Sequence, residues 1–175
     1  SVNSYFQENG GIVIANPNAP TGMAISLQEI EEILQNNQDS IVLIDEAYID
    51  FGGESCLPLL EKFDNLVVVQ TFFKSRSLAG IRLGVAFGSA EAIAHLYDVK
   101  NSFNSYPIDS LAQKIGEASL NDETYFQKSV SKIITTRENF KNELIKLGFQ
   151  VTDSKTNFFC PSSKNRCYNT FQSTL

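Results

Sequence analysis

Three short runs of consecutive aliphatic residues most constrain what this 175-residue chain can fold into. They begin at Ile12, Ile41 and Leu66, and segments with helical spacing or turn residues separate them. Because successive positions are apolar, both faces of each strand should be covered, as in a parallel sheet. We predict strands at 12–15, 41–44 and 66–72, a fourth at 82–87, and an α/β fold with a mostly parallel or mixed sheet and right-handed crossovers.

Helical signals lie between and after the strands. Ser26 followed by Glu29 is a capping-box signature, and the apolar spacing after it predicts a helix to about Asn37. A short helical stretch is expected at 57–63, and a helix around 90–97. From about Asn121 the pattern becomes one long amphipathic helix that ends before Gly148.

Composition excludes several classes of function. The chain has 14 Lys+Arg against 20 Asp+Glu and a net charge of −6, which argues against a nucleic-acid partner. No apolar run reaches the roughly 18 residues of a membrane span, and the first residues do not resemble a secretory signal, so we expect a cytoplasmic protein. Cys56, Cys160 and Cys167 fit neither a redox pair nor a zinc set and are interpreted as free thiols.

No metal site is expected, because His95 is the single histidine and its place in a helix suggests a packing or surface role.

Polar residues follow three of the predicted strands. The first strand ends in a Pro- and Asn-rich turn at 16–22, the second ends on Asp45 with Tyr48 close behind, and the third leads from Thr71 to Lys74. Ligands of open α/β sheets bind beyond the carboxyl ends of the strands, so these loops could converge on one cleft. Taken singly, a lysine is usually a surface residue and an aspartate is often a helix cap or an ion-pair partner.

Taken in order, these blocks resemble one family, the histidinol-phosphate aminotransferases within the class I/II (fold type I) pyridoxal-phosphate enzymes. The resemblance runs from about Gly11 to Phe159, and it is carried by the sequence blocks Asn16-Pro17-Asn18-Ala19-Pro20-Thr21-Gly22, Asp45-Glu46-Ala47-Tyr48, Thr71-Phe72-Phe73-Lys74-Ser75-Arg76-Ser77-Leu78-Ala79-Gly80-Ile81-Arg82-Leu83-Gly84 and Asn104-Ser105-Tyr106-Pro107.

The resemblance implies a set of roles around pyridoxal 5'-phosphate. Lys74 is the position of the lysine that holds the cofactor aldehyde and moves the substrate proton. Asp45 corresponds to the carboxylate beside the ring nitrogen, and Tyr48 to the donor to the phenolic oxygen. Thr71 and Arg82 match phosphate-binding positions. Arg76 lies at a position that varies within the family, and we interpret it as a surface charge.

Two positions depart from the family pattern. Many members carry a second asparagine that bonds the phenolic oxygen where this chain has Ala19, and Asn18 is the neighbouring residue that could replace it. The residue before the lysine is usually a serine that holds the phosphate, and here it is Phe73, which has no donor.

The resemblance also implies an architecture. We expect a three-layer αβα fold in which residues 1–121 form part of the cofactor-binding large domain, 122–147 the long linking helix, and 148–175 the start of a smaller α+β domain. The absence of an initiator Met, and a helix-like pattern at 168–175 without an end signal, suggest a piece of a longer protein. By itself, this part of the protein is expected to show no catalytic turnover.

The implied activity is transfer of an amino group between L-histidinol phosphate and 2-oxoglutarate in histidine biosynthesis. The implied partners are a small-molecule amino donor, a phosphorylated substrate and a second copy of the full-length protein. Three alternatives stay open: an aromatic aminotransferase, a threonine-phosphate decarboxylase, and a non-catalytic truncated scaffold. A dinucleotide-binding domain is disfavoured because no G-x-G-x-x-G follows the first strand.

Overall fold

A four-stranded sheet forms the centre of the computed structural model, which describes residues 2–162. Its strands lie in the order β1-β2-β3-β4; the first three are parallel and β4 is antiparallel to β3. This confirms the predicted α/β class and mostly parallel sheet. The strand bounds are β1 Ile12–Ala15, β2 Val42–Asp45, β3 Leu66–Thr71 and β4 Gly84–Gly88.

The fourth strand begins two residues later than predicted. Arg82 has a φ of 55°, in the left-handed region that an extended strand cannot accommodate. The pairing therefore starts at Gly84, opposite Thr71.

One face of the sheet carries the main hydrophobic core. Side chains alternate along a strand, and the register aligns Ile12, Val42 and Leu66 on the same face. Helix α1 (Leu27–Gln35) covers this face with Ile30, Ile33 and Leu34, all fully buried. By the same alternation, Asp45 at the end of β2 lies on the opposite face.

The predicted capping box of α1 is present. The Ser26 hydroxyl accepts from the backbone N–H of Glu29 at 3.2 Å, and the Glu29 carboxylate accepts from the backbone N–H of Ser26 at 2.8 Å. The helix ends at Gln35, before the predicted Asn37, because the Asn37 amide donates to the carbonyls of Ile33 and Tyr5 and terminates it.

Four short 3₁₀ turns connect these elements within the described range. They span Val2–Tyr5, Ile49–Phe51, Leu57–Glu61 and Ala79–Ile81. The third lies within the helical stretch predicted at 57–63.

Three further helices follow the sheet: α2 Ala90–Phe103, α3 Ser110–Asn121 and α4 Glu123–Lys146. The long helix was predicted at nearly these bounds, whereas α3 was missed although Asp109 caps it by accepting from the Ala112 N–H at 2.7 Å. His95 is exposed on α2, with Nε2 3.9 Å from a Glu91 carboxylate oxygen, which agrees with a surface role.

The described chain ends in a two-stranded antiparallel sheet, β5 Gln150–Val151 and β6 Pro161–Ser162. The helix predicted at 168–175 and Cys167 lie outside the described residues. Cys56 is a buried free thiol and Cys160 is half-buried. The division at residues 121 and 147 into two domains and a linker stays a prediction.

None of the helices between residues 2 and 162 is long and apolar enough to cross a membrane. Over the same range, no group of three or more His, Cys, Asp or Glu side chains is arranged to hold a metal ion.

Candidate active site

The three loops singled out in the sequence leave neighbouring strand ends at the carboxyl edge of the sheet. Ala15, Asp45 and Val69 lie side by side in the register. Backbone bonds continue past the strands, with the Asn16 N–H donating to the Asp45 carbonyl at 2.9 Å and the Glu46 N–H to the Val69 carbonyl at 2.8 Å. The topology thus brings the three loops to one edge of the sheet, whereas their convergence on one cleft stays a prediction.

Asp45 is half-buried where β2 ends. Its Oδ1 accepts from the backbone N–H of Ala47 at 3.0 Å, which holds the carboxylate at the start of the loop. A carboxylate in this place can accept a further hydrogen bond from a protonated ring nitrogen.

Lys74 and Tyr48 lie together although they come from different loops. The Lys74 Nζ is 5.0 Å from the centroid of the Tyr48 ring, within the range of a cation–π contact. The Phe158 ring meets the Tyr48 ring edge-on, with centroids 5.2 Å apart and planes at 88°. Lys74 itself is exposed, so its amine is accessible to a small molecule.

Thr71 carries an unsatisfied polar atom. Its Oγ1 is buried and has no hydrogen-bond partner among residues 2–162. A buried hydroxyl without a partner costs free energy, so such an atom suggests a place for a ligand acceptor. The phosphate of pyridoxal phosphate is an acceptor of this kind, and Thr71 therefore fits the proposed phosphate-binding role.

Arg82 and Phe73 contact each other. The Arg82 guanidinium carbon is 4.4 Å from the centroid of the Phe73 ring. Phe73 thus supplies no donor of its own but packs against the cation assigned to the phosphate. Arg82 is exposed, and its charge remains accessible to an anion.

Asn18 is engaged within its own loop. Its Nδ2 donates to the Thr21 hydroxyl at 2.8 Å, whereas Ala19 is exposed. Asn16 is buried, and its Oδ1 accepts from the Ile25 N–H at 3.0 Å. The structure therefore directs these two amides to the turn itself, and it does not bring Asn18 into a hydrogen bond with Tyr48 or Lys74.

The sequence interpretation of Arg76 as a surface charge was wrong. Its guanidinium carbon lies 4.0 Å from the centroid of Phe126 and 5.9 Å from that of Phe72, and Nη1 donates to the Ser119 carbonyl at 2.6 Å. The Arg76 side chain is thus held by two aromatic rings and by a carbonyl near the end of α3. The sequence alone does not distinguish it from the other cations of the chain.

Sequence reasoning also missed Glu46, which is 1% exposed. Its carboxylate accepts from the Ser55 hydroxyl at 2.7 Å, the Cys56 N–H at 2.7 Å and the Gln70 amide at 2.8 Å. Strand parity could have indicated it, because Glu46 continues the inward alternation of Val42 and Ile44. Burial and the adjacent Glu46 carboxylate raise the pKa of the Cys56 thiol, so this cysteine stays protonated.

The geometry thus combines an accessible amine, a phenol, a carboxylate, an unpartnered hydroxyl and a guanidinium at one edge of the sheet. An amine can bond covalently to a carbonyl carbon and, when free, can move a proton. The guanidinium and the hydroxyl can hold a phosphate. This donor set fits a phosphorylated aldehyde cofactor.

The sequence model of the family described as aminotransferase class I and II matches residues 3–169. This chain belongs to that family.

Particular relatives are closely similar. The histidinol-phosphate aminotransferase of Lactococcus lactis subsp. cremoris (strain MG1363) is 99% identical over 158 residues, covering 90% of this chain and 44% of the relative. The chain therefore spans less than half the length of that protein, in line with the expectation of a piece of a longer one.

Solved structures share the fold. That of the histidinol-phosphate aminotransferase from Clostridium acetobutylicum matches with a TM-score of 0.84 at 25% identity over 99% of this chain and 55% of that one. The structure of histidinol-phosphate aminotransferase from Sinorhizobium meliloti in complex with pyridoxal-5'-phosphate matches with a TM-score of 0.75 at 24% identity, over 86% and 41%.

Proposed function

We propose that the protein to which this chain corresponds is a pyridoxal-phosphate-dependent transaminase. It would convert L-histidinol phosphate and 2-oxoglutarate to imidazole acetol phosphate and L-glutamate in L-histidine biosynthesis. The observation that carries the proposal is the 99% identity to a histidinol-phosphate aminotransferase across 158 residues that contain the Lys74 and Tyr48 loops.

Pyridoxal phosphate, when bound, supplies an electron sink for the bonds at the substrate Cα. Asp45 would keep the ring nitrogen protonated, and Tyr48 would donate to the phenolic oxygen. Thr71 and Arg82 would bind the phosphate, the first with its unpartnered hydroxyl and the second with its charge.

Lys74 would hold the cofactor aldehyde and then move the proton at the substrate Cα, because its amine is exposed beside the Tyr48 ring. Asn18 would assist at the phenolic oxygen only if its amide left Thr21, and so its assignment needs a rearrangement within the turn.

We propose that residues 1–121 belong to the cofactor-binding domain, 122–147 link it to a smaller domain beginning at 148, and two copies assemble into a cytoplasmic homodimer. Since the chain spans 44% of the relative's length, we expect it to bind the cofactor incompletely and not to turn over by itself.

Borohydride trapping tests the cofactor site. The chain is incubated with a limiting amount of pyridoxal phosphate, reduced and digested, and the pyridoxyl group is located by mass spectrometry. We expect Lys74 to carry most of the label. Lys74→Ala should remove that label, and Lys62→Ala should leave it in place, because Lys62 is a surface lysine paired with Glu31 at 3.5 Å. A label spread evenly over the lysines would contradict cofactor binding at Lys74.

The substrate is tested in the full-length protein. Amino transfer from L-histidinol phosphate to 2-oxoglutarate is compared with transfer from aromatic amino acids and with decarboxylation of threonine phosphate. Preference for either of the last two, with Lys74 labelled, would contradict the substrate and leave the cofactor assignment intact.

A further inference from the structure

Two contacts join the turn that carries Tyr48 to the loop that carries Lys74. One is the cation–π contact between those two residues. The other is a hydrogen bond between Ser75, which follows Lys74, and Asp50, which lies two residues after Tyr48: the Ser75 hydroxyl donates to Oδ2 of Asp50 at 2.5 Å. Asp50 has no role in the proposed cofactor site.

The turn that carries Asp50 is firmly held. It is the 3₁₀ turn Ile49–Phe51, closed by Gly52 at a φ of 115° and by the bond from the Gly53 N–H to the Ile49 carbonyl at 3.0 Å. Phe51 is fully buried and packs with Phe126 of α4. The Asp50 carboxylate therefore extends from backbone that the core fixes.

Two backbone hydrogen bonds shape the Lys74 loop from within. The Leu78 N–H donates to the Phe72 carbonyl at 2.9 Å, and the Ser77 N–H donates to the Lys74 carbonyl at 3.2 Å. These bonds shape the loop but do not attach it to the turn. Arg76 attaches the loop to α3 through the Ser119 carbonyl and to α4 through the Phe126 ring.

Ser75 is the residue that makes the attachment. It is 3% exposed, so its hydroxyl needs a protein partner. An ionised carboxylate only accepts, and the hydroxyl must therefore donate to Asp50 in one orientation. Because Ser75 follows Lys74 directly, this bond fixes the backbone from which the lysine extends.

We propose that Asp50, acting through Ser75, is a positioning residue for Lys74: it holds the lysine amine beside the Tyr48 ring. Its importance for catalysis rests on the proposed function, but the positioning itself is a property of this chain without cofactor. Asp50→Ala and Ser75→Ala should each release the Lys74 loop, whereas Asp50→Asn and Ser75→Thr retain an acceptor and a hydroxyl.

The first measurement uses the cofactor-free chain. Lysines are methylated with formaldehyde and cyanoborohydride, and the rate at Lys74 is divided by the rate at Lys62 in the same sample. In Asp50→Ala and in Ser75→Ala, the Lys74 amine should leave the Tyr48 ring more often and react faster. We expect this ratio to rise by roughly threefold to tenfold, because the loss of one hydrogen bond changes the equilibrium between the held and the released loop by about that factor. Because Lys62 is already mostly exposed, its rate serves as the standard for the reagent, and general loosening of the fold is measured separately by urea unfolding of each variant.

The double variant and the controls sharpen the result. Because the two residues act through one bond, Asp50→Ala with Ser75→Ala should change the ratio no more than either alone. Asp50→Asn and Ser75→Thr should behave as the parent chain, as should Asp98→Ala, which alters an exposed aspartate on α2. Should Asp50→Ala not fold, Ser75→Ala carries the comparison.

The second measurement is the limiting pyridoxal-phosphate trap, in which the share of label on Lys74 should fall in the two alanine variants. An unchanged methylation ratio in both would overturn the positioning role whatever the trap shows. Absence of Lys74 labelling in the parent chain, with the ratio raised in the variants, would instead overturn the proposed function and leave the positioning role standing.

Discussion

Arg137 of α4 donates from Nη1 to the backbone carbonyl of Phe51 at 2.8 Å, across 86 positions of the chain. The same nitrogen donates to the Thr156 carbonyl at 2.6 Å, and Nε reaches the Glu138 carboxylate at 2.8 Å. One buried guanidinium therefore ties the long helix both to the turn behind Tyr48 and to the segment that leads to Phe158.

Arg137→Leu should destabilise the chain strongly. The change leaves the carbonyls of Phe51 and Thr156 without their donor in a buried place, and the expected loss in free energy of unfolding is roughly 2 to 4 kcal/mol. Urea denaturation followed by circular dichroism measures it.

The matched control is Lys146→Gln on the same helix, where Lys146 and its partner Glu143 are both mostly exposed. A surface pair of this kind contributes little, so the control should shift stability by less than about 0.5 kcal/mol. Equal midpoints for Arg137→Leu and the control would show that the buried bonds do not stabilise the fold.

Gly22→Ala should also destabilise, for two independent reasons. Gly22 has a φ of +75°, and a Cβ at this position would lie 2.3 Å from the Ser154 hydroxyl oxygen. We expect a loss of roughly 1 to 3 kcal/mol in thermal or urea unfolding. Gly10→Ala is the control, because nothing lies within 4 Å of its Cβ position. The cost of Gly22→Ala should be smaller in a Ser154→Gly background than in the parent chain, and an equal cost in both backgrounds would assign it to the backbone.

Thr71→Val should have opposite effects on stability and on cofactor binding. It removes a buried hydroxyl that lacks a partner within residues 2–162, so the cofactor-free chain should gain roughly 1 kcal/mol in free energy of unfolding. It also removes a proposed phosphate donor, so more pyridoxal phosphate should be needed to label Lys74. Loss of stability in the variant would mean that the hydroxyl is satisfied in solution, and unchanged labelling would exclude Thr71 from the phosphate site.

Ser26→Ala should weaken the start of α1 by about 1 kcal/mol near neutral pH. The Ser26 backbone N–H, and then its hydroxyl, lower the pKa of Glu29 from its ordinary value of 4.5. Because the pKa of Glu29 is lower in the native chain, the unfolded chain binds more protons than the native chain around pH 4.5 and below. The stability that Glu29 gains from Ser26 is therefore present above pH 4.5 and is lost as the pH falls through the lowered pKa.

Unfolding titrations at a series of pH values check this linkage. The difference between the parent chain and Ser26→Ala should shrink as Glu29 becomes protonated, because the carboxylate then no longer gains from the hydroxyl. Glu29→Gln should remove the pH dependence that this residue contributes. If the difference in free energy of unfolding between the parent chain and Ser26→Ala stayed constant across the acid range, the stabilisation by Ser26 would not depend on the ionisation of Glu29.

Local patterns in the sequence determined much of the fold. The aliphatic runs predict β1 to β3 because a strand covered on both faces needs apolar side chains at successive positions. Ser26 and Glu29 predict the start of α1 because both partners of the capping box lie within one turn. The resemblance to the aminotransferases, which the family match supports, depends on blocks whose order the sequence shows directly.

Only the tertiary structure decided which distant side chains meet. Arg76 contacts Ser119 and Phe126 because α3 and α4 pack beside the Lys74 loop. Asp50 accepts a hydrogen bond from Ser75 because the parallel strands β2 and β3 end at the same edge of the sheet. Sequence spacing determines neighbours along a strand or helix, where the geometry repeats every few residues. It does not determine partners that depend on how separate elements pack, since those contacts exist only once the core has formed.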